Sequence, residues 1–341
     1  MTASDFARQT AERPLRILAV TNQYPEDGGW RGINVKEHID DLRALGHHVD
    51  IELVVQGRSR VDYLLRSRHV ARRVGAGDYD VVHTHFGMTA MTTRLVRTVP
   101  KVLTLYGSDI NETWKRWITR LGWGGTAARI YVSDRLRRKA GDENGIVIPN
   151  GVNLELFRPG DREAARRRLG FRPNEKVVMF GSDPTIGVKD HDVFSQVMGE
   201  LERTGVPITE MVLAAPGQAR ADIVAKFDAA DLLLFTSRQG SEGSPTVVKE
   251  AVVMGLPVVS VDVGDVAEML ADVSPSSVVA FPTEKSGDRR VELVKRLATA
   301  AEAVLAEGRR SNGRESRQWL DSARIAQRVV DVYTAVIPHT P

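Results

Sequence analysis

Asp231-Leu-Leu-Leu-Phe-Thr-Ser-Arg-Gln-Gly-Ser-Glu-Gly-Ser-Pro-Thr-Val-Val-Lys-Glu-Ala-Val-Val-Met-Gly-Leu-Pro-Val-Val-Ser-Val-Asp262 reads as strand, loop, helix, strand. The apolar run at its head is the kind that forms a strand buried on both faces. Ser244 suits an N-cap, and Pro245 at the first helical position loses nothing by lacking an N–H. Gly255 ends the helix, Pro257 prevents its continuation, and Val258–Val261 starts the next strand. The helix N-terminus near Ser244–Val247 presents N–H groups that suit a phosphate. Glu242 in the loop and Glu250 in the second helical turn could accept hydroxyl hydrogen bonds from the same ligand. The plain alternative is an ordinary crossover with both glutamates solvated, and pattern alone does not separate the two.

The same alternation fills the rest of the chain. Strands are predicted at Leu15–Val20, Val49–Val55, Tyr79–Thr84, Val102–Tyr106, Arg129–Val132 and Ile146–Ile148. Val35, Ile39, Leu42 and Leu45 have helical spacing, and Gly46 closes that helix. A second series places strands at Val177–Phe180, Met211–Ala214, Leu232–Thr236, Pro257–Val261 and Val278–Ala280. Its helices are Val193–Glu202, Ala221–Ala229, Thr246–Met254 and Arg290–Glu307. Two such series in succession signal two parallel-sheet α/β domains. Pro149-Asn-Gly-Val-Asn-Leu-Glu-Leu-Phe-Arg-Pro159 is a turn-rich connection between them. The expected division is an N-terminal domain over 1–153, a C-terminal domain over 154–313, and a closing helix over Arg314–Val336. Ligands of open parallel sheets bind beyond the carboxyl ends of the strands, where His85, Ser182 and Glu242 fall.

Composition narrows the function. The 42% apolar and 27% charged fractions of these 341 residues are those of a globular protein. No apolar run approaches the roughly 20 residues that span a bilayer. The leader Met1–Arg13 lacks the apolar core of a secretory signal. Absence of cysteine excludes disulfides, thiolate zinc sites and thiol catalysis, and fits a cytoplasmic protein. The net charge is +3. Basic residues crowd two segments. Arg58, Arg60, Arg66, Arg68, Arg72 and Arg73 alternate with Tyr63, Leu64, Leu65 and Val70, and Trp114-Lys-Arg-Trp-Ile-Thr-Arg-Leu-Gly-Trp123 is the other. Either could touch anionic lipid, giving a membrane-peripheral protein, or be the solvated face of a surface helix. No nucleic-acid-binding pattern is present.

In Asp80-Val-Val-His-Thr-His85, strand alternation puts His83 and His85 on one face. A metal pair, a structural role and a catalytic role all fit that geometry. Asp109 could orient a hydroxyl or cap the following helix. Tyr24-Pro-Glu-Asp-Gly-Gly-Trp-Arg-Gly-Ile33 does not fit Gly-x-Gly-x-x-Gly, so a nicotinamide fingerprint is unsupported. Its glycines permit close backbone approach to a ligand or simply form turns.

Taken together, Glu242 and Glu250 with Gly243-Ser-Pro245 and Lys249-Glu-Ala251, Val261-Asp-Val-Gly-Asp265, Asp80–His85, Thr104-Leu-Tyr-Gly-Ser-Asp109 and Pro149-Asn-Gly-Val152 resemble the family-4 retaining glycosyltransferases of the GT-B fold. The resemblance implies two Rossmann-like parallel-sheet domains facing a central cleft, with the last helix crossing back onto the N-terminal domain. It implies a nucleotide-diphosphate sugar donor (UDP by default, GDP as the variant), a hydroxyl acceptor, and no metal or cofactor. It assigns donor-sugar contact to Glu242 and His85 and the ribose to Glu250. It implies donor binding by Gly32, Ser182, Lys189, Gly243, Ser244, Pro245 and Thr246, and an acceptor side at Tyr106 and Asp109. Two positions depart from the pattern. Tyr106 stands where histidine is common, and Ser182 stands where arginine is usual, so Arg220 or Arg238 is left to supply the missing charge. A sugar-nucleotide epimerase and a non-catalytic binding partner of another transferase are the rival readings.

Overall fold

The computed structural model describes residues 13–25, 31–54, 62–213, 218–283 and 288–338, with backbone alone at 62–64. Most of the expected leader lies outside these residues. So do Glu26–Trp30 of the glycine-rich loop, Arg58 and Arg60, and the last residues of the strands read to Val55 and Ala214.

The chain divides into two compact units, Met1–Gly151 with Ser322–Pro341, and Val152–Asp321. The first holds a parallel sheet of β1 (Arg16–Thr21), β2 (His48–Leu53), β3 (Val81–His85), β4 (Lys101–Leu105), β5 (Ala128–Tyr131) and β6 (Ile146–Val147) in the order β2-β1-β3-β4-β5-β6. The second holds β7 (Lys176–Phe180), β8 (Ile208–Val212), β9 (Leu232–Phe235), β10 (Val258–Val261) and β11 (Ser277–Val279) in the order β11-β10-β9-β7-β8. Within each sheet the first strand sits between the second and the third. The chain therefore winds first one way and then the other, leaving a switch point at β1/β3 and another at β7/β9, where such sheets open toward ligands.

Burial explains why the strands read so plainly. Every residue of β3, β4, β9 and β10 is buried, as expected for parallel strands covered on both faces. One core packs Ile17, Val81 and Val102 against Val35, Ile39 and Leu42 of the helix Ile33–Ala44. Ile325, Ala326, Val329 and Tyr333 of the closing helix complete it.

That closing helix differs from the expectation. Arg314–Val336 is not one helix but a short turn of helix at Gly313–Ser316, a 3-10 turn at Gln318–Leu320 and the helix proper at Ser322–Val336. At the break, the Arg317 guanidinium donates to the carbonyls of Met269, Glu268 and Ala271. These bonds anchor the segment to the second unit before it leaves. A lone bridge between Val152 and Asp321 then runs the entering and leaving strands of chain side by side. Among the described residues no helix is long and apolar enough to cross a membrane.

Candidate functional site

In the second unit the site grows from the loop that follows β9. Glu242 Oε1 accepts hydrogen bonds from Lys189 Nζ (2.7 Å) and from Ser237 Oγ (2.7 Å). Lys189 ends a 3-10 turn, Gly187–Lys189, in the loop that follows β7. Thr236 Oγ1, just past β9, donates to the carbonyls of Lys189 (3.0 Å) and Asp190 (3.2 Å) and pins that turn in place. Two loops on either side of the β7/β9 switch point are thus tied together by a charge-assisted bond. Ser182, the first side chain beyond Gly181, is buried beside them. A Cβ at Gly181 would meet Leu233 and both methyls of Val247 within 3.0–3.3 Å. The β7 loop therefore lies tight against the first turn of the next helix.

That helix runs Thr246–Val253 with Pro245 as its cap, one residue later than the sequence implied. Ser244 does not cap it. The hydroxyl donates to Asp265 Oδ2, 21 residues away (2.5 Å), and no side-chain cap bond is made at the N-terminus of this helix among the described residues. Asp265 and fully buried Lys249 oppose each other's perturbation. Burial pushes the carboxyl pKa up against the pull of Lys249, and burial pushes the ammonium down against the pull of Asp265. Gly264, at φ +55°, lies on this same loop, since a Cβ there would sit 2.9 Å from the Gly243 carbonyl.

Glu250 is buried in the second turn and accepts from Arg220 Nη2 (2.8 Å). Burial raises its pKa, with Arg220 working against that rise. The Arg220 guanidinium also lies over the Phe157 ring, 4.9 Å from its centroid. Of the two arginines considered as substitutes at Ser182, Arg220 thus serves Glu250, whereas Arg238 faces Asp190 at 3.4 Å on the surface. Asp190-His-Asp192 is an Asp-x-Asp triplet, a pattern that often holds a divalent ion. Here Arg290 lies within 3.6 Å of Asp190 and 3.7 Å of Asp192. Among the described residues no group of three or more His, Asp or Glu is placed to hold a metal.

In the first unit the switch point is lined by histidines. His85 closes β3 rather than following it. Its ring lies 4.1 Å from that of His83, centroid to centroid, and His38 stands edge-on to both. Both strand histidines pair with a tyrosine at Nδ1: His83 with Tyr333 (2.5 Å) and His85 with Tyr106 (2.7 Å). Burial keeps both phenols above their ordinary pKa and both imidazoles well below theirs. A phenol donates well and accepts poorly, so each tyrosine O–H points at Nδ1 and leaves the proton of the ring on Nε2. The reverse assignment would strand the O–H of Tyr106 as well as the far nitrogen of His85. At His83 the Nε2–H ends on Thr104 Oγ1 (2.7 Å), which closes a structural link from β4 to the last helix. At His85 the Nε2 is buried without a partner. One histidine is satisfied and the other presents an unmet donor.

Asp109 does not cap the following helix, whose N-cap is Glu112. The Asp109 oxygens accept the N–H groups of Gly87 (2.9 Å) and Tyr106 (3.0 Å). These bonds hold Phe86, the residue after His85, at φ +70°, ψ 137°. A bulky residue there is strained by about 1–3 kcal/mol and persists only where its surroundings dictate it. Gly32 has φ +83° and begins the helix Ile33–Ala44. A Cβ on it would come within 2.4 Å of the Gln23 carbonyl group, so the position is closed to any side chain.

His38 and Tyr333 lie outside every motif quoted above, and Thr104, Ser237 and Lys249 lie inside motifs without a role assigned to them. Only the buried lysine carried a signal, as a charge at an otherwise apolar face of the helix.

Two family models match the chain: "Glycosyltransferase Family 4" over residues 3–156 and "Glycosyl transferases group 1" over 176–300. The D-inositol 3-phosphate glycosyltransferase of Mycobacterium marinum is 29% identical over 253 residues, 60% of this chain and 53% of the relative. A putative teichuronic acid biosynthesis glycosyltransferase of Bacillus subtilis is 27% identical over 229 residues, 56% of this chain and 55% of the relative. The chain spans about half the length of the curated relatives it matches. Among solved structures, sucrose-phosphate synthase from Thermosynechococcus elongatus superposes with a TM-score of 0.70 at 16% identity, over 94% of this chain and 98% of that one. HepE from Anabaena, solved with UDP-glucose, gives 0.57 at 16% identity, with 95% of both chains covered. With both halves matched in order and the whole fold shared, the chain belongs to the family 4, group 1 glycosyltransferases of the GT-B fold.

Proposed function

We propose that the protein is a retaining, metal-independent glycosyltransferase that moves a sugar from a nucleotide-diphosphate donor to a hydroxyl acceptor. A UDP-sugar is the first choice of donor and a GDP-sugar the second. The observation that carries this reading is the Lys189–Glu242–Ser237 link beside the helix that starts at Thr246. It joins a cation, a carboxylate and a helix N-terminus at the carboxyl edge of one sheet. Breaking a glycosidic bond to a diphosphate builds negative charge on the leaving group. Lys189 and the first-turn N–H groups are the donors that would stabilise it, with Gly243, Ser244 and Pro245 shaping the loop. Glu242, oriented by two donors, is suited to a sugar hydroxyl. Glu250, steadied by Arg220, is suited to the ribose. His85 offers an N–H to a hydroxyl oxygen, consistent with a role toward the sugar. HepE, solved with UDP-glucose, supports the choice of base. A relative named for D-inositol 3-phosphate supports a polyhydroxylated acceptor.

Ser182 favours a second reading, a sugar-nucleotide-binding partner without turnover, because a hydroxyl supplies neither charge nor a bidentate fork. One experiment separates the two. Purified protein is offered a panel of UDP- and GDP-sugars with EDTA present, and transfer or hydrolysis is measured alongside nucleotide binding. Turnover of at least one donor supports the transferase. Binding without turnover, with cell-extract acceptors included, supports the partner. A product with no new glycosidic bond identifies an epimerase.

A further inference from the structure

The helix Thr113–Gly122 of the first unit has two faces of opposite character. Its inner face is fixed: Thr119 and Gly122 are buried, and Ile118 packs against the cluster of Val70, Val74, Met88 and Val96. A Cβ on Gly122 would come within 2.8 Å of Ala90, so this helix lies hard against the 3-10 turn Gly87–Thr93. Its outer face presents Trp114, Trp117 and Leu121, spaced three and four apart on one side of the helix. They are 41%, 66% and 59% exposed. An exposed aromatic stripe on a firmly seated helix cannot be put down to poor packing.

Charge borders that stripe. Arg116, Trp117 and Arg120 line an open depression. Between Glu112 and Ala140 the sequence has eight Lys or Arg against two Asp or Glu. Glu112 is paired with Lys115, and Asp134 with Arg137 and Arg138. Arg135 and Lys139 are exposed on the next helix, Asp134–Ala140. They lie near enough to Arg116 that burial and those two guanidinium groups together lower the Lys139 pKa. Crowded cations of one sign, with indoles among them, are arranged for a surface of the opposite sign that is also apolar underneath.

We infer that the outer face of Thr113–Gly122 docks on an anionic lipid bilayer, with Trp114, Trp117 and Leu121 entering the interfacial layer and Arg116, Arg120 and Lys139 facing lipid phosphates. Tryptophan settles at the headgroup level because its ring is apolar and its N–H polar. Arginine reaches phosphate while its stem stays among apolar groups. A solvated surface helix would not collect two exposed tryptophans and a leucine on one stripe, and a nucleic acid would be met by cations without that apolar face. The inference does not depend on the donor chemistry proposed above.

The test is vesicle co-sedimentation combined with quenching of tryptophan fluorescence by brominated lipid, using the whole chain. Vesicles of phosphatidylcholine alone are compared with vesicles in which about a third of the lipid is phosphatidylglycerol. Binding should appear with the anionic vesicles, weaken at high salt, and be accompanied by quenching. The W117S/L121S double variant should lose binding tenfold or more and Arg116→Glu severalfold, both with unchanged thermal unfolding. Equal binding to both vesicle types, no binding to either, or variants that bind like wild type would overturn the inference. So would concentration-dependent dimerisation that W117S/L121S abolishes, because the stripe would then be a subunit interface.

Discussion

Arg220 and Glu250 offer a perturbation whose size can be worked out beforehand. The Glu250 side chain is 6% exposed and Arg220 is 21% exposed, with 2.8 Å between them. Removing one partner of such a pair typically costs about 3–5 kcal/mol, since the other is left charged and dry. Glu250 has an escape, which is to take up a proton, and burial already raises its pKa. In Arg220→Met the folded-state pKa climbs further above the ordinary 4.5. The penalty is therefore absent below 4.5 and grows as pH rises toward the folded-state value. At pH 7 the distance from 4.5 limits it to about 3.4 kcal/mol, and at pH 5 to about 0.7 kcal/mol. Urea unfolding at the two pH values should show Arg220→Met strongly destabilised at the higher and nearly wild-type at the lower. Adding Glu250→Gln should remove most of the pH dependence. A loss of equal size at both pH values, or one that Glu250→Gln leaves untouched, would show that Arg220 acts through Phe157 rather than through the carboxylate.

The remaining predictions concern the first unit. Gly32→Ala should lower its melting temperature sharply, by more than the ~1–2 kcal/mol of the left-handed backbone alone, because the new methyl strikes the Gln23 carbonyl group. Burial holds His38 at a pKa of about 4. A depressed histidine leaves stability intact above the unfolded value of 6.5 and removes it as pH falls toward the folded value. His38 alone should thus cost about 3 kcal/mol between pH 6.5 and 4. His38→Asn should make that part of a melting-temperature series less steep, with the share of buried His83 and His85 left in place. Tyr106→Phe removes the O–H donated to His85 Nδ1, so nitrogen NMR should show His85 shifting from the single Nε2–H tautomer to a mixture, while His83 keeps its own.

The strands were legible because burial on both faces demands runs such as Val177-Val-Met-Phe180, and such runs have few other uses. Strand alternation likewise foretold that His83 and His85 share a face. Partners distant in sequence were not legible. Ser244 looks like a helix cap until Asp265 is in place to receive its hydroxyl, and nothing local ties Arg220 to Glu250. Equal-looking histidines, each with a tyrosine at Nδ1, part company only through Thr104 on the neighbouring strand, which meets Nε2 of His83 and not of His85. Asp109 shows the same limit, because its role depends on a strained turn at Phe86. The single expected helix over Arg314–Val336 is interrupted where Arg317 meets the carbonyls of Glu268, Met269 and Ala271, partners distant in sequence.

Glu242, held by Lys189 and Ser237, is the residue proposed to meet the donor sugar. The most direct measurement of that role is the steady-state turnover of the preferred sugar nucleotide by wild type, Glu242→Ala and the exposed helix variant Glu302→Ala. Glu242→Ala should lose about a hundredfold or more in kcat, the scale seen when a positioned polar group at a reacting centre is removed, with Glu302→Ala unchanged. Equal turnover in the two variants would contradict that role.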